Sequence, residues 1–431
     1  MRFAIAFLMY CGASLAQTTD VKGDWVVNIV RFGEPDYTRL NLESKNGHYI
    51  GKIWGDVQLD GVLKGAAIEF QCTYKEENKQ EKSSGNLSVS TSANEMHGQG
   101  KLFDEPASFS AQRDTPWNGT PRTHQFTPTH FYRQFSGATQ PALHINPSDT
   151  IQTKCVDAGG VDEKGEHRSQ GGNPLTGPFY VDGAVPGDTL VVHLNRVRLN
   201  RDTAGIYNDT VVGSAVDPYY FRDLKRVKDF DSSWKLDRTT QTAMLTKPTD
   251  RLKDFKISLH PMLGCVGVAP PARQAFRSGN LGNYGGNMDY NQLREGATLY
   301  IPVFQLGALL FVGDGHATEG DGELTGNALE TSMDVEFTVD LIRGKSLGQP
   351  RAENSEYVMV SGIGGSLNDA LQAATTGMSR WLEDEYKLNP GEIAMVLGSS
   401  MRYDIAEVVD SQVHVVAKLS KTVLSQIPKP K

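Results

Sequence analysis

Residues 309–323 read Leu-Leu-Phe-Val-Gly-Asp-Gly-His-Ala-Thr-Glu-Gly-Asp-Gly-Glu. The apolar start predicts a strand. Because side chains alternate with period two along a strand, Asp314 and His316 continue the face of Leu310 and Val312. A carboxylate and an imidazole then point the same way, which suits a Zn-type site of mixed nitrogen and oxygen ligands. The spacing differs from an EF-hand loop, and Asp-Gly pairs are also ordinary turn chemistry.

Strand-like segments dominate the chain on both sides of this stretch. Residues 186–194, 298–304 and 335–341 each predict a strand, and Pro302 places the second of them near a sheet edge or a bulge. Helical spacing is found only late, after the N-cap residue Ser366 and again from Pro390. The fold class predicted for residues 129–431 is therefore mainly β, sandwich-like or barrel-like, with an α+β C-terminal portion.

Residues 20–113 predict an additional small all-β domain. Short alternating segments recur between turn signals, as expected for meander strands joined by hairpins. The charged stretch 75–84 predicts an exposed hairpin loop. Residues 114–128 are rich in Pro, Thr and Arg and predict a linker to a second region at 129–431.

The first sixteen residues resemble a secretory signal peptide. Arg2 precedes an apolar run, and Ser14 and Ala16 supply the small residues before a cleavage site. The apolar run is too short to span a bilayer. We therefore expect a secreted or periplasmic protein that has no membrane association after cleavage of residues 1–16.

Net charge limits the kinds of molecule that the protein can be expected to bind, and the cysteine count limits its disulfide pairing. The 431 residues carry a net charge of −8, which argues against nucleic acid as a partner. Beyond the signal segment the cysteines are Cys72, Cys155 and Cys265, and three cysteines cannot all pair within one molecule. A small molecule is the expected partner, and a homo-oligomer is compatible with the sequence.

Nucleophile-elbow and nucleotide-binding folds have no support in the sequence. The strand-helix alternation that a Gly-x-Ser-x-Gly elbow needs is missing, and the chain has no Walker loop and no Gly-x-Gly-x-x-Gly after a strand. Ser366 is explained as a helix cap. Cys155 and Cys265 are the remaining candidate nucleophiles, but the sequence favours buried structural thiols at both positions.

Four segments together resemble the acetamidase/formamidase family over roughly residues 130–425. They are residues 150–160, residues 173–190, residues 264–270 with 285–289, and residues 313–323 with Glu330. The resemblance implies a mostly β fold with an α+β portion, hydrolysis of short linear amides to a carboxylate and ammonia, and a divalent metal. The matching polar positions are Asp157, Asn287, Asp289, Asp314, His316, Asp321, Glu323 and Glu330.

Two positions depart from the family pattern. Glu319 stands where the family usually carries Gln, and an extra carboxylate there can change metal affinity or act as a base. His260-Pro-Met262 stands where the family more often has a Pro-Phe pair, which would reshape the pocket. The identity of the amide therefore does not follow from the resemblance.

Amide hydrolysis needs a strong nucleophile, a polarised carbonyl and a proton for the leaving nitrogen. A Zn-type ion supplies the first two, a carboxylate can move the proton, and a cation stabilises crowded carboxylates. We assign the metal to Asp157, Asp314, His316 and Glu323, with zinc as the expected ion and structural Ca²⁺ as the alternative. The catalytic candidates are Glu323, Glu319 and Asp321, and the substrate-binding candidates are Asn287, Asp289 and Glu330.

Two other readings of the chain stay open at this point. The first is an amidase with Cys155 or Cys265 as its nucleophile. The second is an exported β-rich module that binds a ligand or glycan and whose acidic loop holds a structural metal.

Overall fold

The computed structural model describes residues 20–430, apart from residues 56, 65–66, 76–80 and 93. The predicted signal peptide at 1–16 lies outside the described residues. The chain forms two compact units that divide between Thr115 and Pro116. Strands make up 45% of the described residues and helices 11%, which confirms the predicted mainly-β fold class.

The first unit contains a closed barrel of eight antiparallel strands. They are β1 (Gly23–Arg31), β2 (Glu34–Lys45), β3 (His48–Ile53), β4 (Val57–Lys64), β5 (Ala67–Lys75), β6 (Glu81–Thr91), β7 (Glu95–Leu102) and β8 (Glu105–Arg113). The barrel closes where β1 pairs with β8. Trp25, Val27 and Ile29 alternate along β1 and are fully buried, so the inward face of the strand forms part of the barrel core.

The barrel contains two strands, β4 and β7, that the sequence pattern does not predict. Strand β6 begins at Glu81, so part of the predicted loop at 75–84 is strand instead. The prediction was wrong there because a low content of apolar residues does not exclude a strand, and the backbone of this segment pairs with β5.

The second unit contains the remaining strands and helices. In chain order its strands are β9 (Thr123–Gln125), β10 (Gln134–Ser136), β11 (Leu143–Ile145), β12 (Thr150–Cys155), β13 (Leu175–Val181), β14 (Thr189–Leu199), β15 (Thr203–Gly205), β16 (Ser233–Asp237), β17 (Thr242–Leu245), β18 (Lys256–Ser258), β19 (Met262–Gly267), β20 (Ala275–Arg277), β21 (Leu281–Gly282), β22 (Gly285–Asn287), β23 (Thr298–Pro302), β24 (Leu310–His316), β25 (Met333–Ile342), β26 (Arg351–Glu353), β27 (Tyr357–Gly364), β28 (Arg402–Glu407) and β29 (Val413–Ser420). Its helices are α1 (Pro218–Asp223), α2 (Leu367–Tyr386), α3 (Pro390–Ser400) and α4 (Lys421–Leu424).

Two large sheets organise this unit. One has six strands in the order β11-β13-β24-β19-β22-β21, and the other has nine in the order β28-β29-β27-β26-β23-β14-β25-β12-β9. Their side chains share one hydrophobic core, in which the rings of Phe179 on β13 and Phe337 on β25 meet edge to face at 5.3 Å. A ribbon of β10 and β20 and a four-stranded sheet of β15 to β18 complete the set.

Two predictions differ from the observed topology. Strand β23 lies inside the nine-stranded sheet, between β26 and β14, so Pro302 marks the end of a strand and not the edge of a sheet. Thr123–Gln125, within the predicted linker 114–128, forms β9 and pairs in parallel with β12. That part of the predicted linker therefore belongs to a sheet.

The predicted late helices are present. The Ser366 side chain accepts a hydrogen bond from the Asp369 amide at the start of α2, which confirms the predicted cap. Asn389 and Glu392 form a capping box at the start of α3. None of the helices in the described residues combines the length and the apolar character that crossing a bilayer requires.

Candidate active site

Strand β24 places Asp314 and His316 in the interior of the six-stranded sheet. The strand pairs with β13 on one side and β19 on the other, and all seven of its residues are buried. Gly315 separates the two polar residues on the opposite face, where a Cβ would come within 2.4 Å of the Met333 side chain and 2.7 Å of the Thr331 carbonyl. Only glycine fits at position 315. One face of β24 can therefore pack tightly against its neighbours, while the Asp314 and His316 side chains project from the opposite face.

Neighbouring elements bring four more carboxylates to this face. Strand β22 pairs with β19 and leads into Asp289, which is 1% exposed. The loop after β24 returns Glu319 and Glu323, and Glu330 forms an isolated bridge with His316. These side chains are all buried. The predicted clustering of acidic residues around His316 therefore arises from three chain segments.

His316 is the centre of the cluster. Its Nδ1 lies 2.8 Å from Glu319 Oε2, while its Nε2 lies 3.5 Å from Asp314 Oδ1 and 3.4 Å from Glu330 Oε1. Two sets of ligand atoms each lie within 4.8 Å of one another, namely Asp314, His316 and Glu330, and Asp289, His316, Glu319 and Glu323. His316 belongs to both sets, so a cation bound by either would contact its imidazole.

Three of the carboxylate residues have unusual backbone geometry. Asp289, Asp314 and Glu323 have φ values of 36°, 58° and 46°, in the left-handed region that side-chain-bearing residues rarely adopt. Such strain costs about 1–3 kcal/mol per residue and is concentrated at functional sites. The surrounding fold maintains this strain at three positions whose carboxylates belong to the two sets of ligand atoms around His316.

Burial dominates the electrostatics of the cluster. Burial raises the pKa of Asp289, Glu323 and Glu330 well above the usual range, and neighbouring carboxylates add to that shift. Burial likewise raises the pKa of Glu319 to about 7, against the opposing effect of His316. Burial disfavours the imidazolium of His316, but Glu330 and Asp314 outweigh it and raise the His316 pKa. The cluster has more carboxylate than cationic charge in its interior.

The donor set fits a divalent cation. Five buried atoms in the cluster have no hydrogen-bond partner, and they are Asp289 Oδ1, Asp314 Oδ1, His316 Nε2, Glu319 Oε1 and Glu330 Oε2. Unpartnered buried polar atoms are rare because each costs free energy. A Cβ on Gly264 would lie 2.3 Å from Asp289 Oδ1 and 2.8 Å from Asp314 Oδ2, so glycine leaves open the space between these carboxylates. Imidazole and carboxylate are the ligands that zinc accepts.

Two predicted site residues lie apart from the two sets of ligand atoms. Asp157 pairs with Arg201 at 2.7 Å, and its other oxygen accepts the Val161 amide at 2.8 Å. Asp321 is exposed and accepts a hydrogen bond from Asn291. The structure places Asp314 with His316 in one set of ligand atoms and Glu323 with His316 in the other, while Asp157 and Asp321 contact other groups.

The Asp157–Arg201 pair predicts a stability effect. Its side chains are 3% and 11% exposed, so Asp157→Asn leaves a buried guanidinium without its counter-charge and is expected to lower the free energy of unfolding by about 3 kcal/mol. Denaturant unfolding measures this, with Asp202→Asn in an exposed pair with Arg238 as the control. Metal content should not change. Loss of metal from a stable Asp157→Asn variant would instead restore the predicted ligand role.

Asn173 is a site residue that the sequence reasoning did not single out. Its Nδ2 donates to Asn287 Oδ1 at 2.9 Å and to Asp314 Oδ2 at 2.8 Å. Asn287 Nδ2 in turn donates to Asp289 and to Asp410. Both ends of the Asn287 amide are engaged by protein groups, so its role here is to orient the carboxylates. Asn173 lies in the segment 173–190, but an uncharged side chain gave no separate signal.

The two candidate cysteines are buried and free. Cys265 Sγ donates to Asn287 Oδ1 at 2.7 Å and lies 3.7 Å from Asp314 Oδ2. Burial raises the pKa of Cys265 well above its usual value, and Asp314 and Asp289 add to the shift. Burial raises the pKa of Cys155 to about 12. Both environments favour the thiol over the thiolate that nucleophilic attack needs.

A cavity of about 1060 Å³ lies beside the residues that contact the cluster. Asn173 and Asp410 line it, and both are hydrogen-bonded to Asn287. Burial raises the pKa of Asp410 to about 6, with Asn287 opposing that shift. The cavity therefore borders two residues, Asn173 and Asp410, that are bonded to the Asn287 amide of the site.

Comparisons with known proteins agree with this geometry. Residues 272–375 match the model of the Acetamidase/Formamidase family. The acetamidase of Mycolicibacterium smegmatis is 25% identical over 219 residues, which cover 39% of this chain and 53% of that protein. The formamidase of Methylophilus methylotrophus is 24% identical over 257 residues, 46% of this chain and 61% of that protein. The chain spans between 53% and 61% of the length of the curated relatives it matches.

A solved structure extends the similarity over most of this chain's length. The crystal structure of an acetamidase from Yersinia enterocolitica matches with a TM-score of 0.60 and 26% identity. The match covers 71% of this chain and 94% of that one. Nearly the whole of that acetamidase therefore has a counterpart in this chain.

Proposed function

We propose that this chain, which belongs to the acetamidase/formamidase family, hydrolyses short linear amides to a carboxylate and ammonia. The observation that carries the proposal is the buried cluster around His316, with its five unpartnered polar atoms. Such an arrangement is costly for stability, and a bound cation accounts for it.

The proposed cation ligands are Asp314, His316 and Glu330. His316 Nε2 faces both carboxylates and has no hydrogen-bond partner, while its Nδ1 is engaged by Glu319, an arrangement that orients a ligating imidazole. Zinc is the proposed ion, because Ca²⁺ takes oxygen ligands and this set includes a nitrogen. When bound, such an ion lowers the pKa of a water toward about 7 and polarises a carbonyl.

The remaining residues have distinct proposed roles. Glu323 is a buried carboxyl group in the cluster, and we assign it the transfer of a proton to the leaving amide nitrogen. Glu319 holds the His316 ring by its 2.8 Å contact, so the departure from the family's usual Gln adds charge behind the imidazole. Asn173 and Asn287 orient Asp314 and Asp289. We assign Asp289 the contact with the NH₂ group of the substrate amide.

The proposal predicts metal-dependent release of ammonia. Purified protein is expected to contain about one zinc per chain and to release ammonia from formamide or acetamide. Removing the metal with a chelator should abolish the release, and zinc should restore it more fully than Ca²⁺. Metal analysis and an ammonia assay measure both. Full activity after verified metal loss contradicts the metal mechanism, and no ammonia from any short linear amide contradicts the function.

The cysteine amidase is the second candidate, because Cys265 lies against Asn287 within the same site. Cys265→Ser keeps a donor to Asn287 Oδ1 and removes the thiol. The metal mechanism predicts that this variant retains turnover within a few fold. A loss of several orders of magnitude, together with inactivation of the native protein by thiol alkylation, would favour the cysteine mechanism.

A further inference from the structure

The cavity that Asn173 and Asp410 line is unusually basic for this chain. Arg133, Arg168 and Arg277 line it, in a protein whose net charge is −8. Of its lining residues within the described part of the chain, Asp410 alone is acidic. Three guanidinium groups around one opening create a local positive potential that attracts anions.

The three arginines differ in the contacts that their guanidinium groups make with the rest of the protein. Arg168 lies 3.6 Å from Asp162, and Arg133 donates to the Gly171 carbonyl at 3.4 Å. The guanidinium of Arg277 makes no hydrogen bond or ion pair to any part of the chain that the structure describes. Its five donors remain available to a ligand.

The backbone holds two of these arginines on one short ribbon. Strands β10 and β20 pair, with Gln134 opposite Arg277, and the Ser278 amide donates to the Arg133 carbonyl at 3.1 Å. Ser278 is buried and donates its hydroxyl to the Gly172 carbonyl at 2.7 Å, next to Asn173. The ribbon that carries Arg133 and Arg277 is therefore tied to the segment that contacts Asp314.

We propose that the substrate is a short amide that also carries a carboxylate, which Arg277 and Arg133 bind while the amide group reaches the cluster. This inference rests on the proposed amide hydrolysis. The cavity volume of about 1060 Å³ is far larger than formamide or acetamide requires, since pockets of about 300–1,000 Å³ hold drug-sized ligands. A planar guanidinium matches the two oxygens of a carboxylate.

The test compares amides of equal chain length that differ in charge. Succinamate is paired with butyramide, and malonamate with propionamide, in assays of ammonia release by the native protein and by Arg277→Gln. We expect the native protein to have a higher kcat/KM for each charged amide than for its neutral partner. Arg277→Gln should lower the kcat/KM ratio of succinamate to butyramide about tenfold, mainly through KM. Arg226→Gln, an exposed arginine outside the cavity, removes the same charge and should keep the native ratio.

The outcomes separate this inference from the proposed function. Neutral amides hydrolysed at least as well as charged ones, or an unchanged ratio in Arg277→Gln, would overturn the anionic substrate and leave amide hydrolysis standing. No ammonia from any of the four amides, nor from formamide or acetamide, would overturn amide hydrolysis and the inference with it.

Discussion

His316→Ala is expected to remove the bound metal and to lower kcat/KM for amide hydrolysis by more than about 100-fold. The imidazole belongs to both sets of ligand atoms, and its Nε2 faces Asp314 and Glu330 at 3.5 and 3.4 Å. Removing even an outer partner of a metal ligand typically costs about 10–100-fold, so losing a ligand should cost more. Metal analysis per chain and the ammonia assay measure the two effects separately.

His193→Ala is the matched control for this variant. His193 lies on β14 in the other large sheet, is 41% exposed at its side chain, and contacts Thr298. The control also removes an imidazole from a strand, so metal content and turnover should both survive in it. Native metal content and turnover in folded His316→Ala would contradict the proposed ligand set.

The sequence allowed the centre of the site to be predicted, because two simple regularities apply there. The apolar run before Asp314 predicted a strand, and β24 runs from Leu310 to His316. The period of two then placed Asp314 and His316 on one face. Glycine at 315 fits the same interpretation, since its opposite face has no space for a side chain. Local pattern is informative where a strand is buried on both sides.

Contacts between residues that are far apart in the sequence could not be predicted. Asp157 follows strand β12 much as Asp314 lies on β24, and the sequence offers no sign that Arg201, 44 positions later, neutralises it. Asn173 is the opposite case, a residue that the sequence did not predict and that the structure places in the site. Its contacts with Asn287 and Asp314 span 114 and 141 positions, and an asparagine has no charge to mark it as a site residue.

Strand β7 of the barrel could not be predicted for the same reason. Strand β7 buries Met96 and Leu102 but few other apolar groups, and it carries two glycines, so its alternation is weak. It is a strand because β6 and β8 flank it and barrel closure supplies partners for its backbone groups. Tertiary pairing decides such segments, and a local pattern cannot show it.

Gly264→Ala is expected to inactivate the enzyme while leaving the fold intact. Gly264 lies on β19, opposite Asp314, and its φ is not in the left-handed region, so alanine suits the backbone. The added Cβ would lie 2.3 Å from Asp289 Oδ1, 2.8 Å from Asp314 Oδ2 and 3.0 Å from His316 Cε1. Those atoms must move, and a displacement of about 1 Å at a reacting centre can cost 10²-fold in rate.

The stability change should be smaller than the loss of activity. Overpacking a buried site costs typically about 1–3 kcal/mol, which denaturant unfolding can resolve. Gly398→Ala is the control, since a Cβ there meets nothing within 4 Å and the position is helical. We expect Gly264→Ala to show reduced zinc content and a kcat/KM about 100-fold below that of Gly398→Ala. If Gly264→Ala kept native turnover, the space between Asp289 and Asp314 would have no part in the chemistry, because a methyl group would then fill it without consequence.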